Sequence, residues 1–229
     1  MAASSNKGSN GKGDKTTRNL VVGMILLVVV AGAGAALASN HAVKSASKPS
    51  AVEATDGDGI GFNTSAPVKV DFYEDFQCPH CRDFEAVNNA YINKIITDGK
   101  IHAVFHPMSF IGNESVLTAA ASACASDQGK FLQMHAALFA NQAANENSGI
   151  WSNAKLIVLG HSLGIASTKY DECINNGQYL NWTKNVEDYA GKANINSTPT
   201  VLINDKPVPQ NTYLNSAAFQ AAFSSAGVK

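Results

Sequence analysis

The 229-residue sequence is 45% hydrophobic, too apolar for a disordered chain, and its length suits one or two domains. Seventeen Lys and Arg against eighteen Asp and Glu leave a formal charge of −1, so no basic excess is available for nucleic acid. The charge is uneven: residues 1–19 hold Lys7, Lys12, Lys15 and Arg18 against Asp14, a net +3, and the remainder carries −4.

That basic tail leads into an apolar run from Leu20 to Leu37, 18 residues without a charge. As a helix it would span about 27 Å, close to a bilayer core of roughly 30 Å. The reading is a single N-terminal transmembrane segment over 20–38 with residues 1–19 in the cytoplasm, because basic residues favour that side. A secreted protein cleaved near Ala38, at the A-x-A site Ala36-Leu37-Ala38, is the competing reading. Both place the rest of the chain outside the cytoplasm. Residues 39–59, rich in Ser, Ala, Gly, Lys and Pro, read as a flexible linker, with a short strand near Ile60–Phe62 opening the folded unit 60–229.

Val68 to Tyr73 then reads as a strand, and Arg82 to Ile96 as a helix with Phe84, Val87, Tyr91, Ile92 and Ile95 on its apolar face. Between them lies Cys78-Pro79-His80-Cys81, where a strand enters the first turn of a helix. Unpaired helix N–H groups and the helix dipole stabilise a thiolate there. Cys78, the outer residue, is the expected attacking thiol and Cys81 the resolving one. His80 is expected to give a hydrogen bond or positive charge to the Cys78 sulfur, which favours the reduced form and makes the disulfide more oxidising. A C-x-x-C is also half of a zinc site, but no second half exists and the histidines show no ligand spacing, so no metal is assigned.

Further along, Ile101–Phe105 is strand-like, with His102 and His106 as edge or packing residues. The segment Gly160-His161-Ser162-Leu163-Gly164 matches a nucleophile elbow, yet no histidine follows Ser162, and a hydrolase of that type needs one. Ser162 is therefore read as the end of a helix from Asn153, with Asn153 as its cap. Trp151 and Trp182 are read as core or near-core aromatics. Near the C-terminus Ser197-Thr198-Pro199-Thr200 precedes the strand Val201–Ile203, the hairpin turn Asn204-Asp205 and Lys206–Val208. A last helix has Tyr213, Leu214, Ala217, Phe219 and Phe223 as apolar positions.

Three segments carry a family resemblance: Asp75-Phe76-Gln77-Cys78-Pro79-His80-Cys81, then Gly129-Lys130-Phe131-Leu132-Gln133-Met134-His135-Ala136-Ala137-Leu138-Phe139, then Ser197-Thr198-Pro199-Thr200. In content and order they resemble the DsbA-like branch of the thioredoxin superfamily, especially its membrane-anchored bacterial and actinobacterial members. The resemblance implies an α/β thioredoxin fold with an inserted α-helical domain, here about 113–192. It makes Cys78 and Cys81 the redox pair and Pro199 a cis-proline facing them, with the Thr198 backbone open to an extended peptide. It also implies an oxidase that donates its disulfide to reduced exported polypeptides, needs no cofactor and is reoxidised by a quinone-linked membrane partner. The family's buried acid, six residues before the first active cysteine, is Phe72 here. Glu74 or Asp75 is expected to substitute for proton transfer, the alternative being a solvated strand end.

Cys124 and Cys173 fall in the insertion. They are either two buried free thiols or a structural disulfide, and export favours the disulfide. Closing a loop of this length would stabilise by roughly 4 kcal/mol at most. Two further functions stay open: a reductase or isomerase of the same compartment, and a binding module that holds copper(I) through Cys78, Cys81 and His80.

Overall fold

The computed structural model describes residues 46–53 and 57–229. The expected membrane segment 20–38 and the tail before it lie outside the described residues. Among those described, no helix is long and apolar enough to cross a membrane.

Strand β3 (Lys69–Asp75) is the centre of the sheet and is buried along nearly its whole length. It runs parallel to β4 (His102–Met108), with Phe72 opposite Phe105 and Tyr73 opposite His106. Parallel neighbours require a crossover, and α1 (Pro79–Thr97) provides it. The sheet is completed by β1 (Val52–Glu53), β2 (Gly59–Phe62), β5 (Thr200–Ile203) and β6 (Lys206–Pro207), in the order β1-β2-β4-β3-β5-β6. All pairs other than β3–β4 are antiparallel. Asn204 and Asp205 both sit at positive φ, 48° and 62°, as a two-residue hairpin between β5 and β6 demands.

Between β4 and β5 come α2 (Asn113–Ser126), α3 (Phe131–Ala140), α4 (Asn153–Ser162), α5 (Thr168–Asn175) and α6 (Leu180–Lys192). Helix α2 is made mostly of Ala and Ser, which lets α3, α5 and α6 all pack against it. A 3-10 turn (Gln210–Thr212) and α7 (Ser216–Ser225) close the chain.

Side chains alternate across a strand, so Phe72 and Glu74 share one face of β3. On that face Phe72 stacks on Phe105, and Phe105 meets Phe131 of α3. Helix α1 covers the same side and is backed by α7 through Phe84–Phe219 and Tyr91–Phe223. On the other face His106 lies between Tyr73 and Tyr189 of α6, and its Nε2 is 3.0 Å from Asp71.

Four sequence expectations need correction. Part of the expected linker belongs to the sheet: Val52 and Glu53 pair with Ile60 and Gly59, and Trp182 Nε1 donates to the Asp58 carbonyl at 2.9 Å. A two-residue strand has no alternation to reveal it. Val87 is 39% exposed, because the inward stripe of α1 runs Cys81-Phe84-Asn88-Ile92-Ile95 and Val87 falls off it. Tyr213 and Leu214 precede the last helix, and Leu214 is exposed. Ser152 rather than Asn153 caps α4, its hydroxyl accepting from the Lys155 N–H. The nucleophile-elbow match has a packing explanation: a Cβ at Gly160 would lie 2.2 Å from the Tyr170 ring, so only glycine permits α4 and α5 to approach.

Candidate active site

Strand β3 delivers the chain to the motif. The Cys78 N–H donates to the Asp75 carbonyl at 2.9 Å, which turns the backbone into α1. Cys78 is the N-cap, with extended backbone (φ −70°, ψ 118°), and Pro79 occupies the first helical position, where a missing N–H costs nothing. No side-chain oxygen caps this helix. The His80 and Cys81 N–H groups lie at this end of the helix and favour a negative charge on the Cys78 sulfur.

The motif loop is held from the insertion. Gln142 donates to the carbonyls of Phe76 and Cys78 at 2.9 and 3.0 Å. Gln77 donates to Ser115 Oγ at 2.8 Å and accepts from the Asn147 N–H at 2.6 Å. Across from the pair, the Thr198–Pro199 bond is cis, and Cys78 Sγ lies 3.5 Å from the Thr198 carbonyl.

The two cysteines are free thiols and differ sharply. Cys78 is 7% exposed and Cys81 not at all. The Cys78 thiol is brought down to about 5, first by a hydrogen bond from Cys81, then by the Thr198 side chain and the helix N–H groups, against an opposing cost of burial. Cys81 is pushed well above its ordinary value by burial, by donating to Cys78 and by the charge of Glu74. His80 is exposed, and its backbone N–H is among the groups that lower the Cys78 pKa.

Glu74 and Asp75 are not a solvated strand end; they are 3% and 0% exposed. Asp75 accepts from the Gln77 N–H at 2.9 Å, Ser115 Oγ at 2.7 Å and the Ile111 N–H at 3.4 Å, and so ties the loop together. Burial raises it to about 6. Glu74 is raised well above the carboxylate range, first by burial and then by the negative charge of Cys78, while a hydrogen bond from Glu85 opposes the shift. Glu74 thus interacts electrostatically with both sulfurs. Phe72, where the family has its acid, is two residues earlier and on the same face, so the carboxyl has moved one pleat nearer the motif.

Sequence reasoning missed two members of this centre. Glu85 is one helical turn after Cys81 on the buried stripe, 4% exposed, and burial with the charge of Glu74 raises it to about 8. His135 of α3 is 3% exposed, its Nε2 3.2 Å from Glu74 and its Nδ1 3.7 Å from Glu85. An acid four residues after a buried cysteine was the available signal for Glu85. For His135 there was none beyond the resemblance, since only the fold brings α3 to β3. These three residues place ligand atoms within 4.8 Å of one another, yet the pocket that Glu74 and His135 line has no volume for a water, and their atoms face each other. The arrangement suits shared protons better than an ion. Among the described residues Cys78, Cys81 and His80 do not form such a group.

Fold and site together define a thioredoxin-type domain whose insertion covers a dithiol at a helix N-terminus. A thioredoxin family model matches residues 58–222, and the chain belongs to that family, in its DsbA-like branch. The chain is 27% identical over 146 residues to disulfide bond formation protein D of Bacillus subtilis, covering 62% of this chain and 66% of that protein. It is 26% identical over 179 residues to Na(+)/H(+) antiporter NhaA 3 of Salinispora tropica, covering 76% of this chain and only 26% of that one. The chain thus spans a quarter to two thirds of the length of these relatives. Among solved structures, oxidised DsbA of Mycobacterium tuberculosis superposes with a TM-score of 0.64 at 29% identity, over 74% of this chain and 93% of that one.

Proposed function

We propose that this protein is a thiol–disulfide oxidoreductase that acts as an oxidase, giving the Cys78–Cys81 disulfide to reduced exported polypeptides. The observation that carries the reading is the asymmetry of the pair: Cys78 is held as a thiolate at about 5 while Cys81 is held as a thiol. Stabilising the reduced form makes the disulfide easier to give away.

In the mechanism, a substrate thiolate attacks Cys78 Sγ, the only sulfur of the pair with any exposure. The S–S bond breaks and its electrons leave on Cys81, which takes a proton from Glu74. A second substrate thiolate attacks the substrate sulfur of the mixed disulfide, and Cys78 departs as a thiolate onto the helix N–H groups and the Thr198 side chain. The substrate has lost two electrons and the pair has gained them. The Thr198–Pro199 loop, across from Cys78, is where an extended substrate segment would lie.

The chain is read as working outside the cytoplasm, tethered by residues 20–38 or secreted after cleavage near Ala38, and reoxidised by a quinone-linked membrane partner. The Cys124–Cys173 disulfide supports that compartment, since such bonds persist in oxidising surroundings. The test is the reduction potential of Cys78–Cys81, equilibrated against a glutathione buffer. A value well above the roughly −270 mV of thioredoxin is expected. A value near thioredoxin's would turn the assignment to a reductase, and stoichiometric copper retained through dialysis would turn it to a metal-binding module.

A further inference from the structure

The proposed mechanism gives the proton of Cys81 to Glu74 and leaves the neighbouring acid, Asp75, without a part. Asp75 is fully buried, and burying a carboxylate is costly unless its oxygens are paired.

Both of its oxygens are paired. Oδ1 accepts from the Gln77 N–H at 2.9 Å and from Ser115 Oγ at 2.7 Å, and Oδ2 accepts from the Ile111 N–H at 3.4 Å. What lies behind these bonds fixes their direction. The Asn147 N–H donates to Gln77 Oε1 at 2.6 Å, which turns Gln77 Nε2 toward Ser115 Oγ at 2.8 Å. Ser115 therefore accepts from Gln77 and gives its own hydroxyl hydrogen to Asp75. Three donors converge on the carboxylate, so a proton on Asp75 would have to displace one of them. Glu74 differs, because its Oε1 is buried without a hydrogen-bond partner and is free to hold a proton.

These bonds sit where the chain turns into the motif. The Asp75 side chain accepts from the residue two ahead, while its carbonyl accepts from the Cys78 N–H three ahead at 2.9 Å. This is an Asx turn laid over a β-turn, a place that suits the short acceptor of aspartate. Inside the turn Phe76 packs on Phe139 and His135, with ring centroids 5.0 and 5.5 Å apart. Cys78 leaves the turn as the N-cap of α1, its sulfur 3.5 Å from the Thr198 carbonyl.

We propose that Asp75 is a positioning residue for the redox pair: its carboxylate closes the 75–78 turn against α2 and so sets the Cys78 sulfur at the head of α1, while the proton of Cys81 is left to Glu74. The inference rests on the oxidoreductase reading above. It predicts a sign. Asp75, raised by burial only to about 6, is ionised at neutral pH, and its charge repels that of the Cys78 thiolate. If Asp75 acted by charge alone, removing it would bring the Cys78 pKa down. If Asp75 acts by position, removing it raises the Cys78 pKa, because a loosened turn takes the sulfur away from the helix N-terminus.

The experiment titrates Cys78 in the reduced full chain by thiolate absorbance. Asp75→Ala removes acceptor and charge together and should raise the Cys78 pKa by about one unit, a tenfold loss of thiolate at a pH below it. Asp75→Asn removes the charge but keeps an oxygen for Gln77 and Ser115, so Cys78 should stay at or below its wild-type value. Ser115→Ala changes no charge and should raise Cys78 by a smaller amount, which keeps the test open if Asp75→Ala does not fold. A Cys78 pKa that falls in both Asp75 variants would show action by charge and overturn the proposal. So would a Cys78 unmoved by whichever of Asp75→Ala and Ser115→Ala folds. If both Asp75 variants slow the reduction of the oxidised pair by dithiothreitol equally and leave Cys78 unmoved, Asp75 is a proton donor and the proposal also fails. A wild-type pair that does not exchange with dithiothreitol would instead remove the oxidoreductase reading itself.

Discussion

The molecule carries two cysteine pairs, and they are built for opposite ends. Cys124 and Cys173 are 49 residues apart and join α2 to α5 with Cα atoms 5.9 Å apart. The cavity they border is lined, besides the pair itself, by apolar, amide and glycine residues, with no charged side chain among them. Cys78 and Cys81 are one turn apart, beside a helix N-terminus, a cis-proline loop and two buried carboxyls. A long loop gains much from closure and a short one little. The distant pair therefore restrains the fold, whereas the local pair is surrounded by groups that reward opening it. What separates structural from redox sulfur here is the company each keeps, more than exposure: Cys78 and Cys173 are 7% and 5% exposed.

The comparison breaks most directly if the local pair is replaced. Cys78→Ser is expected to abolish the oxidation of a reduced, unfolded test protein. Cys81→Ala should instead trap substrates on Cys78, seen as higher-mass bands that collapse with reductant. Free exchange by either variant would mean that the roles are misassigned. A smaller effect is expected at the distant pair. Cys124→Ser should lower stability by up to roughly 4 kcal/mol, read from urea unfolding, and leave the Cys78–Cys81 potential where it was. A potential that moves with Cys124 would show that the two pairs exchange electrons, and the division of labour would fail.

Much of this was legible in the chain because it is local. Strand, motif and helix follow one another within 30 residues, so alternation, Pro79 and the stripe from Phe84 to Ile95 mark the site without any long-range contact. The Asn204-Asp205 turn was legible for the same reason. The acids were half legible. Glu74 and Asp75 could be named from their distance to Cys78, but their burial depends on α2 and α3 packing over the end of β3, which periodicity does not reveal. His135 illustrates the limit, since 61 residues separate it from the Glu74 it meets. His80 adds something the sequence pattern did not show: its backbone N–H, fixed by the start of the helix, favours the Cys78 thiolate.

The smallest expected effect tests that electrostatic account, through the stability of the reduced protein relative to the oxidised one. Cys78 titrates near 9 when unfolded and about 5 when folded. A depressed pKa gives stability that is complete above the unfolded value and lost as pH falls through the folded one. The oxidised protein has no such thiol, so the melting temperature of the reduced form should gain on the oxidised form as pH rises from about 5 toward 9. Glu85, raised to about 8, acts in the opposite direction, its contribution fading as pH rises, but it is present in both forms and largely cancels in the difference. The raised pKa of Cys81 matters only above 9. Thr198→Val removes one donor to the thiolate and keeps the shape of the loop. A hydrogen bond to a charged group is worth about 1.5–3 kcal/mol, so Cys78 should rise by about one to two units, read from thiolate absorbance, and the pH-dependent gain should shrink with it. An unchanged Cys78 in that variant would leave the helix N–H groups and Cys81 as the sole source of the shift, and the Thr198 loop would be a substrate surface alone.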